Sequence, residues 1–183
     1  MKNEKQIRFM SLYKPHHDAF IRFCSAKAYG AMETEDLVNE TIAGVYENLS
    51  SLKSDQAFLS YLFSTATNII RKQIRRKKLI FYQNELSDQA IHEISNQPEI
   101  KLDIEILYGA LNQIPVAQKE AIILFEISGY SLKEISQMVH TSESNIKQRL
   151  RRGRIKLAEL LGERELKNEP VVHRSKVLYN LFL

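Results

Sequence analysis

Two stretches of this sequence combine dense positive charge with ordered apolar positions, the combination that grips an anionic polymer. The first is Arg71-Lys72-Gln73-Ile74-Arg75-Arg76-Lys77-Lys78, six basic residues in eight. A run like this, taken alone, is usually a solvated helix face. Here it follows Phe58, Tyr61 and Phe63, and aromatic rings beside cations stack on unpaired bases while the cations hold the backbone. Phe58 and Tyr61 lie on the apolar stripe of their segment, so most of their area is expected in a core. Phe63 falls off that stripe and is the better stacking candidate.

The second stretch is Ser131–Leu157, SLKEISQMVHTSESNIKQRLRRGRIKL, with the outline of a helix-turn-helix. Ile135 and Val139 on its first helix, with Ile146 and Leu150 on its second, are spaced to lock a helix crossing. Ser131 and Ser142 stand where caps belong. The second helix opens with Ser142, Ser144 and Asn145, continues through Lys147, Gln148 and Arg149, and carries Arg151, Arg152, Arg154 and Lys156 beyond. In such a motif the first residues of the second helix meet base edges and the flanking cations hold phosphates. The bland alternative is a basic helix that only solubilises its domain. Caps, apolar lock and basic face coincide, which favours binding.

Other chemistries find little support. The chain has no Gly-rich phosphate loop, no nucleophile elbow and no isolated carboxylate pair in an apolar setting, so it is read as no enzyme. Its five histidines and single cysteine lack paired-ligand spacing: His16 and His17 are adjacent, Cys24 lies eight residues after His16, and His92, His140 and His173 are scattered. No metal and no cofactor are expected, and Cys24 reads as structural. One cysteine also excludes an internal disulfide framework and points to a reducing compartment. Residues 1–20 hold no signal-peptide core, and no run approaches the roughly 18 apolar residues of a membrane span. A cytoplasmic protein without membrane insertion is the expectation. The net charge of +4 and a pI near 9.1 suit an anionic partner but decide nothing alone.

The elements that must position these groups are all helical. Of 183 residues, 44% are hydrophobic and only six are Gly and four Pro, which allows one domain or two small ones. Phe9, Leu12, Tyr13, Phe20, Phe23 and Cys24 keep a helical rhythm broken near Pro15. Leu37, Val38, Thr41, Ile42, Val45, Tyr46 and Leu49 form a clean amphipathic pattern, with Thr34 as cap and Glu35 and Asp36 at the positive end of the helix dipole. Glu35, Asp36 and Glu40 are either a plain solvated face or a contact for a partner. Ser50–Gln56 reads as a loop with a cap at Ser54 or Asp55. Residues 82–100 lose the rhythm and read as a linker. After Leu102 a stripe of Ile104, Leu107, Leu111 and Ile114 precedes Pro115, a helix from Val116 to Ser128, a left-handed Gly129, and the helix-turn-helix. The expected architecture is all-α: two small helical domains joined by a flexible linker, the second a four-helix domain.

With these segments in view, residues 9–162 resemble a bacterial RNA polymerase sigma factor of the extracytoplasmic-function type. Glu35-Asp36-Leu37-Val38-Asn39-Glu40-Thr41 is similar to the acidic helix with which such factors grip the beta-prime clamp of polymerase. Phe58 to Asn68 is similar to the segment that melts and reads the minus-ten element, and Glu134 to Arg154 resembles the helix-turn-helix that reads the minus-thirty-five element. The resemblance implies region 2 over residues 1–80, a linker over 81–101, region 4 over 102–162 and a C-terminal tail over 163–183 of no assigned role. It implies polymerase contacts at Asp36, Leu37 and Glu40, with the beta flap meeting the second domain. It implies minus-ten contacts at Phe58, Tyr61, Phe63, Asn68, Arg71, Arg75 and Arg76, and a flipped base pocketed by the Ser50–Gln56 loop. It further implies minus-thirty-five contacts at Ser142, Ser144, Asn145, Lys147, Gln148, Arg149, Arg151, Arg152 and Arg154, and an anti-sigma factor as inhibitor. Four positions depart from the family: Tyr61 stands for Trp, His140 for a turn Gly, Ser136 for Ala, and Gly153 for an Ala, which is expected to loosen the last helix. A stand-alone helix-turn-helix regulator is the alternative, but it has no use for the acidic-then-basic pattern of the first domain.

Overall fold

Pro15 divides the first apolar run into two helices, because it offers no N–H and clashes with the preceding turn. In the computed structural model, which describes residues 2–83 and 98–165, α1 (Lys2–Tyr13) ends in a 3-10 turn over Lys14–His16, and α2 (His17–Ala28) follows. Gly30, at φ +73°, turns the chain into α3 (Thr34–Glu47). The expected hydroxyl cap on α3 is not made. Thr34 is already helical, and Glu33 occupies the cap position with extended backbone and no side-chain bond. A connection with two 3-10 turns, Leu49–Ser51 and Asp55–Ala57, leads to α4 (Phe58–Gln83).

These four helices form one unit. Its core is aromatic. Phe9 stacks on Tyr13 at 5.4 Å and meets Tyr46 and Phe58 edge-on at 5.5 and 5.9 Å. Phe63 meets Phe20 and Phe23 edge-on at 5.5 and 4.6 Å, the offset and edge geometries that ring quadrupoles favour. Leu37, Val45, Leu49 and Leu62 fill the space between. Packing along α4 ends near Ile70. Beyond it Arg71, Lys72, Ile74, Arg75, Arg76 and Lys77 are exposed.

The second unit begins with α5 (Pro98–Leu111). Proline suits the first helical turn, where its missing N–H has no partner to lose, so Pro98 opens this helix within the expected linker. Pro115 then caps α6 (Val116–Ile122), which widens into a turn over Ile123–Ile127. The backbone N–H of Ser128 reaches five residues back to the Ile123 carbonyl at 2.9 Å, and the Ser128 hydroxyl donates to the same oxygen. Gly129 takes the left-handed conformation foreseen for it, φ +82°. Helix α7 (Leu132–Met138) starts in a capping box: the Ser131 N–H and hydroxyl donate to a Glu134 carboxylate oxygen at 2.8 and 2.6 Å, and the Glu134 N–H donates back to Ser131 Oγ at 3.3 Å. His140 carries the turn at φ +50°, the left-handed region that L residues rarely enter. Ser142 accepts the Asn145 N–H at 3.2 Å and caps α8 (Glu143–Glu165). Ile135, Ile146 and Leu150 are buried as expected; Met138 shares the lock, while Val139 is only half-buried.

Gly153 does not loosen α8. A β-carbon there would lie 2.8 Å from Ile122 Cδ1 and 3.2 Å from Gln118 Cβ, so glycine is what lets α6 approach α8. Gly153→Val is expected to lower the stability of this unit by about 1–3 kcal/mol through overpacking, seen as a fall in thermal midpoint; an unchanged melt would contradict the close approach. Of the expected linker, residues 84–97 lie outside the described residues, as do residues 166–183 of the tail.

Candidate polymerase and nucleic-acid interfaces

On α3, Asp36 and Glu40 are exposed and one turn apart, so their carboxylates share a face, and Glu35 adds a third. Leu37 is wholly buried. It anchors the helix to the core rather than touching a partner, which corrects its expected role as a polymerase contact. Thr41, also buried, satisfies its hydroxyl on the Leu37 carbonyl at 2.6 Å. The amphipathic pattern therefore presents the acidic face outward and holds it there with aliphatic side chains.

On α4 the expected aromatic surface divides. Phe58 and Phe63 are 1% and 4% exposed, and neither ring offers a face for a base. The expectation for Phe63 fails because the buried stripe is wider than one row. Phe63, Thr67 and Ile70, at steps of four and three, form a second row beside Phe58, Leu62 and Ala66, and α2 supplies Phe20 and Phe23 to cover it. Tyr61 alone keeps part of its ring accessible. Asn68, Arg71, Arg75 and Arg76 are exposed, and the Asn68 side-chain oxygen accepts from Arg71 at 3.5 Å.

On α8 the buried seam is Ile146, Leu150, Gly153, Leu157 and Leu161. At 100° per residue, Ser144, Gln148 and Arg152 stand opposite this seam, Asn145 and Arg151 lie to either side of them, and Lys147 is nearer the seam, and all six are exposed along with Ser142. Arg149 is half-buried, and its Nε donates to Asn145 Oδ1 at 3.0 Å, which holds the guanidinium in one orientation. Arg154 is exposed and also paired within the unit. Its guanidinium pairs with Glu126, Nε at 2.8 Å and a second nitrogen on the same oxygen, and lies 5.7 Å from the Phe125 ring. The pair ties α8 to the wide turn after α6, while 42% of the Arg154 side chain stays exposed. Glu126 sits 28 residues upstream, beyond what local spacing reveals.

Of the histidine and cysteine candidates, His92 and His173 lie outside the described residues. Among the described residues no group of three or more His, Cys, Asp or Glu side chains is placed to hold a metal ion. Cys24 is buried, and desolvation pushes its thiol pKa well up, away from the reactive thiolate. Tyr13 bonds the His17 ring at 2.9 Å; burial, with Cys24 and Asp18 nearby, pushes its phenol up to about 12. Among the described residues no helix is long and apolar enough to cross a membrane.

Comparison with known proteins agrees with this layout. The Sigma-70 region 2 family matches residues 12–80 and the Sigma-70, region 4 family matches residues 104–157, together about two thirds of the chain. The extracytoplasmic-function sigma factor SigM of Mycobacterium tuberculosis is 24% identical over 154 residues, covering 84% of this chain and 77% of its own. SigX of Bacillus subtilis is 28% identical over 156 residues, covering 79% of each chain. Among solved structures, the sigma factor RpoE of Bartonella quintana, in complex with the anti-sigma factor NepR, superposes with a TM-score of 0.59 at 25% identity over 88% of this chain and 96% of that one. Two regions in this order, on a helical fold whose surviving exposed charges fall within them, mean that the chain belongs to the sigma-70 family, as a non-enzymatic sigma factor of the extracytoplasmic-function type that binds core RNA polymerase and directs promoter-specific initiation of transcription.

Proposed function

We propose that the first unit docks on the beta-prime clamp through Asp36 and Glu40 and holds an opened minus-ten strand along Tyr61, Asn68, Arg71, Arg75 and Arg76. The second unit reads the minus-thirty-five duplex through the start of α8 and meets the beta flap. The observation that carries this reading is one chain with three exposed charged faces: acidic on α3 and basic on α8, each backed by a buried apolar seam, and basic on α4 just beyond the end of one. Ser142, Ser144, Asn145, Gln148 and Arg149 face base edges, while Lys147, Arg151 and Arg152 hold phosphates. The protein works in the cytoplasm and is held inactive there by an anti-sigma factor, as the Bartonella relative is bound by NepR. It needs no metal or nucleotide of its own, since polymerase performs the chemistry.

Transcription in vitro with purified core polymerase on a genomic fragment library tests the reading: start sites that appear only with this protein support it, and their absence would leave a stand-alone duplex binder. A finer test separates base reading from phosphate holding. Arg149→Ala is expected to lose about 1–3 kcal/mol of discrimination at one upstream position. Lys156→Ala is expected to weaken all sequences alike and only slightly, because Lys156 already pairs with Glu159 at 3.1 Å on the surface. Binding titrations on single-base variants of the upstream element read both; uniform losses from both variants would move the recognition surface off α8.

A further inference from the structure

We propose that Arg8 is a positioning residue for promoter opening: it reaches from α1 to hold the connection between α3 and α4 in the shape that receives a flipped base. This rests on the reading that the Ser50–Gln56 loop pockets that base. Residues 53–56 of the loop are exposed, and the loop's backbone bonds are local: Ser51 N–H to the Asn48 carbonyl at 3.0 Å, Leu52 N–H to the Leu49 carbonyl at 3.3 Å, and Ala57 N–H to the Ser54 carbonyl at 3.1 Å. Among the described residues, one side-chain pair ties residues 53–56 to the rest of the unit. Arg8 Nε and Nη2 both donate to Asp55 Oδ1, at 3.0 and 2.7 Å.

The same face of α1 grips the start of the connection. Lys5 Nζ donates to the Glu47 carbonyl at 3.1 Å and lies 4.9 Å from the Tyr46 ring, and Phe9 packs between Tyr46 and Phe58. Lys5, Arg8 and Phe9, at steps of three and one, thus strap α1 across both ends of the loop. Arg8 and Lys5 both precede residue 12, where the match to region 2 begins, so the strap lies outside the matched stretch.

The pair is a poor stabiliser of the fold. Arg8 and Asp55 are 40% and 58% exposed, and ion pairs in that setting add little to stability. What the pair changes is the number of shapes open to a short exposed loop. A loop already held in its receiving shape binds without first being ordered, and that gain belongs only to the base the loop fits. Losing the pair therefore costs discrimination rather than folding.

The test uses the full chain with core polymerase and a promoter library carrying every base at each minus-ten position, read by transcription in vitro, with the thermal midpoint measured alongside. Arg8→Ala and Asp55→Ala are each expected to reduce preference at one position about two- to fivefold, with the midpoint unchanged; Arg8→Lys should retain part of the preference, and the exchange Arg8→Asp with Asp55→Arg should restore most of it. A loop variant, Gln56→Ala, separates the two layers of the reading. Altered preference for Gln56→Ala with none for Arg8→Ala overturns the role of Arg8 alone. No change in either variant overturns the loop as the base pocket, and the role of Arg8 with it. A lowered midpoint with equal loss at all positions marks Arg8 as merely structural and also overturns the proposal.

Discussion

Asp36→Arg combined with Glu40→Arg is expected to abolish capture of core RNA polymerase while leaving the fold intact, with stability lowered only by about 1 kcal/mol because a cation replaces Asp36 at the positive end of α3. Both carboxylates are exposed on α3, and among the described residues neither forms an ion pair, so their reversal disturbs no core contact. Against a basic surface the change is larger than a lost attraction. Two favourable pairs become two repulsions inside an interface that excludes water, where truncating even one partner of a buried charge pair costs about 2–5 kcal/mol. A fall in affinity of at least roughly 100-fold follows, since each 1.4 kcal/mol is a factor of ten. Co-purification of tagged core enzyme, followed by titration at two salt concentrations, measures it. Leu37→Ala makes the informative contrast. As a fully buried residue it should lower the thermal midpoint, by about 2–5 kcal/mol of stability, and weaken polymerase binding only in proportion to the protein unfolded. Unchanged co-purification of the double reversal would remove α3 from the interface.

Phe63→Ala is the second large effect, and it distinguishes a core ring from a stacking ring. If Phe63 stacked on a base, its loss would weaken minus-ten binding by ~1–3 kcal/mol and leave the fold intact. Its position between Phe20 and Phe23 makes the opposite result the expected one. A cavity opens at the α2–α4 contact and costs about 3–5 kcal/mol, a large share of the stability of a small unit. Polymerase binding and minus-ten binding should then fall together, because both surfaces stand on the same core. Phe63→Leu, which keeps most of the volume, should restore both. Tyr61→Ala, from a half-buried ring, should spare the fold more and weaken the opened strand selectively. Urea unfolding of the three variants, beside binding to a single-stranded minus-ten oligonucleotide in the presence of core enzyme, decides the assignment; a stable Phe63→Ala with selective loss of strand binding would return Phe63 to the DNA surface.

The sequence by itself determined the helices, their order and the sign of each face. Hydrophobic period, caps and breakers are local properties, so the cap at Ser131, the left-handed Gly129 and the exposed carboxylates of α3 were all legible without a neighbour. Even where a local signal misled at the margins, as with Thr34 and Pro98, the element itself stood. Tertiary structure alone decided which side chains on a known face are free to act. Leu37 was withdrawn from contact by burial and Phe63 by Phe20 and Phe23 of α2, Arg154 found a partner in Glu126, and Gly153 acquired its purpose from Ile122 and Gln118. The bond from Arg8 to Asp55 spans 47 residues. The physical reason is common to all of them: periodicity tells which residues share a face, but the width of the buried part, and the pairing of charges across it, depend on the shape and chemistry of the element that packs there.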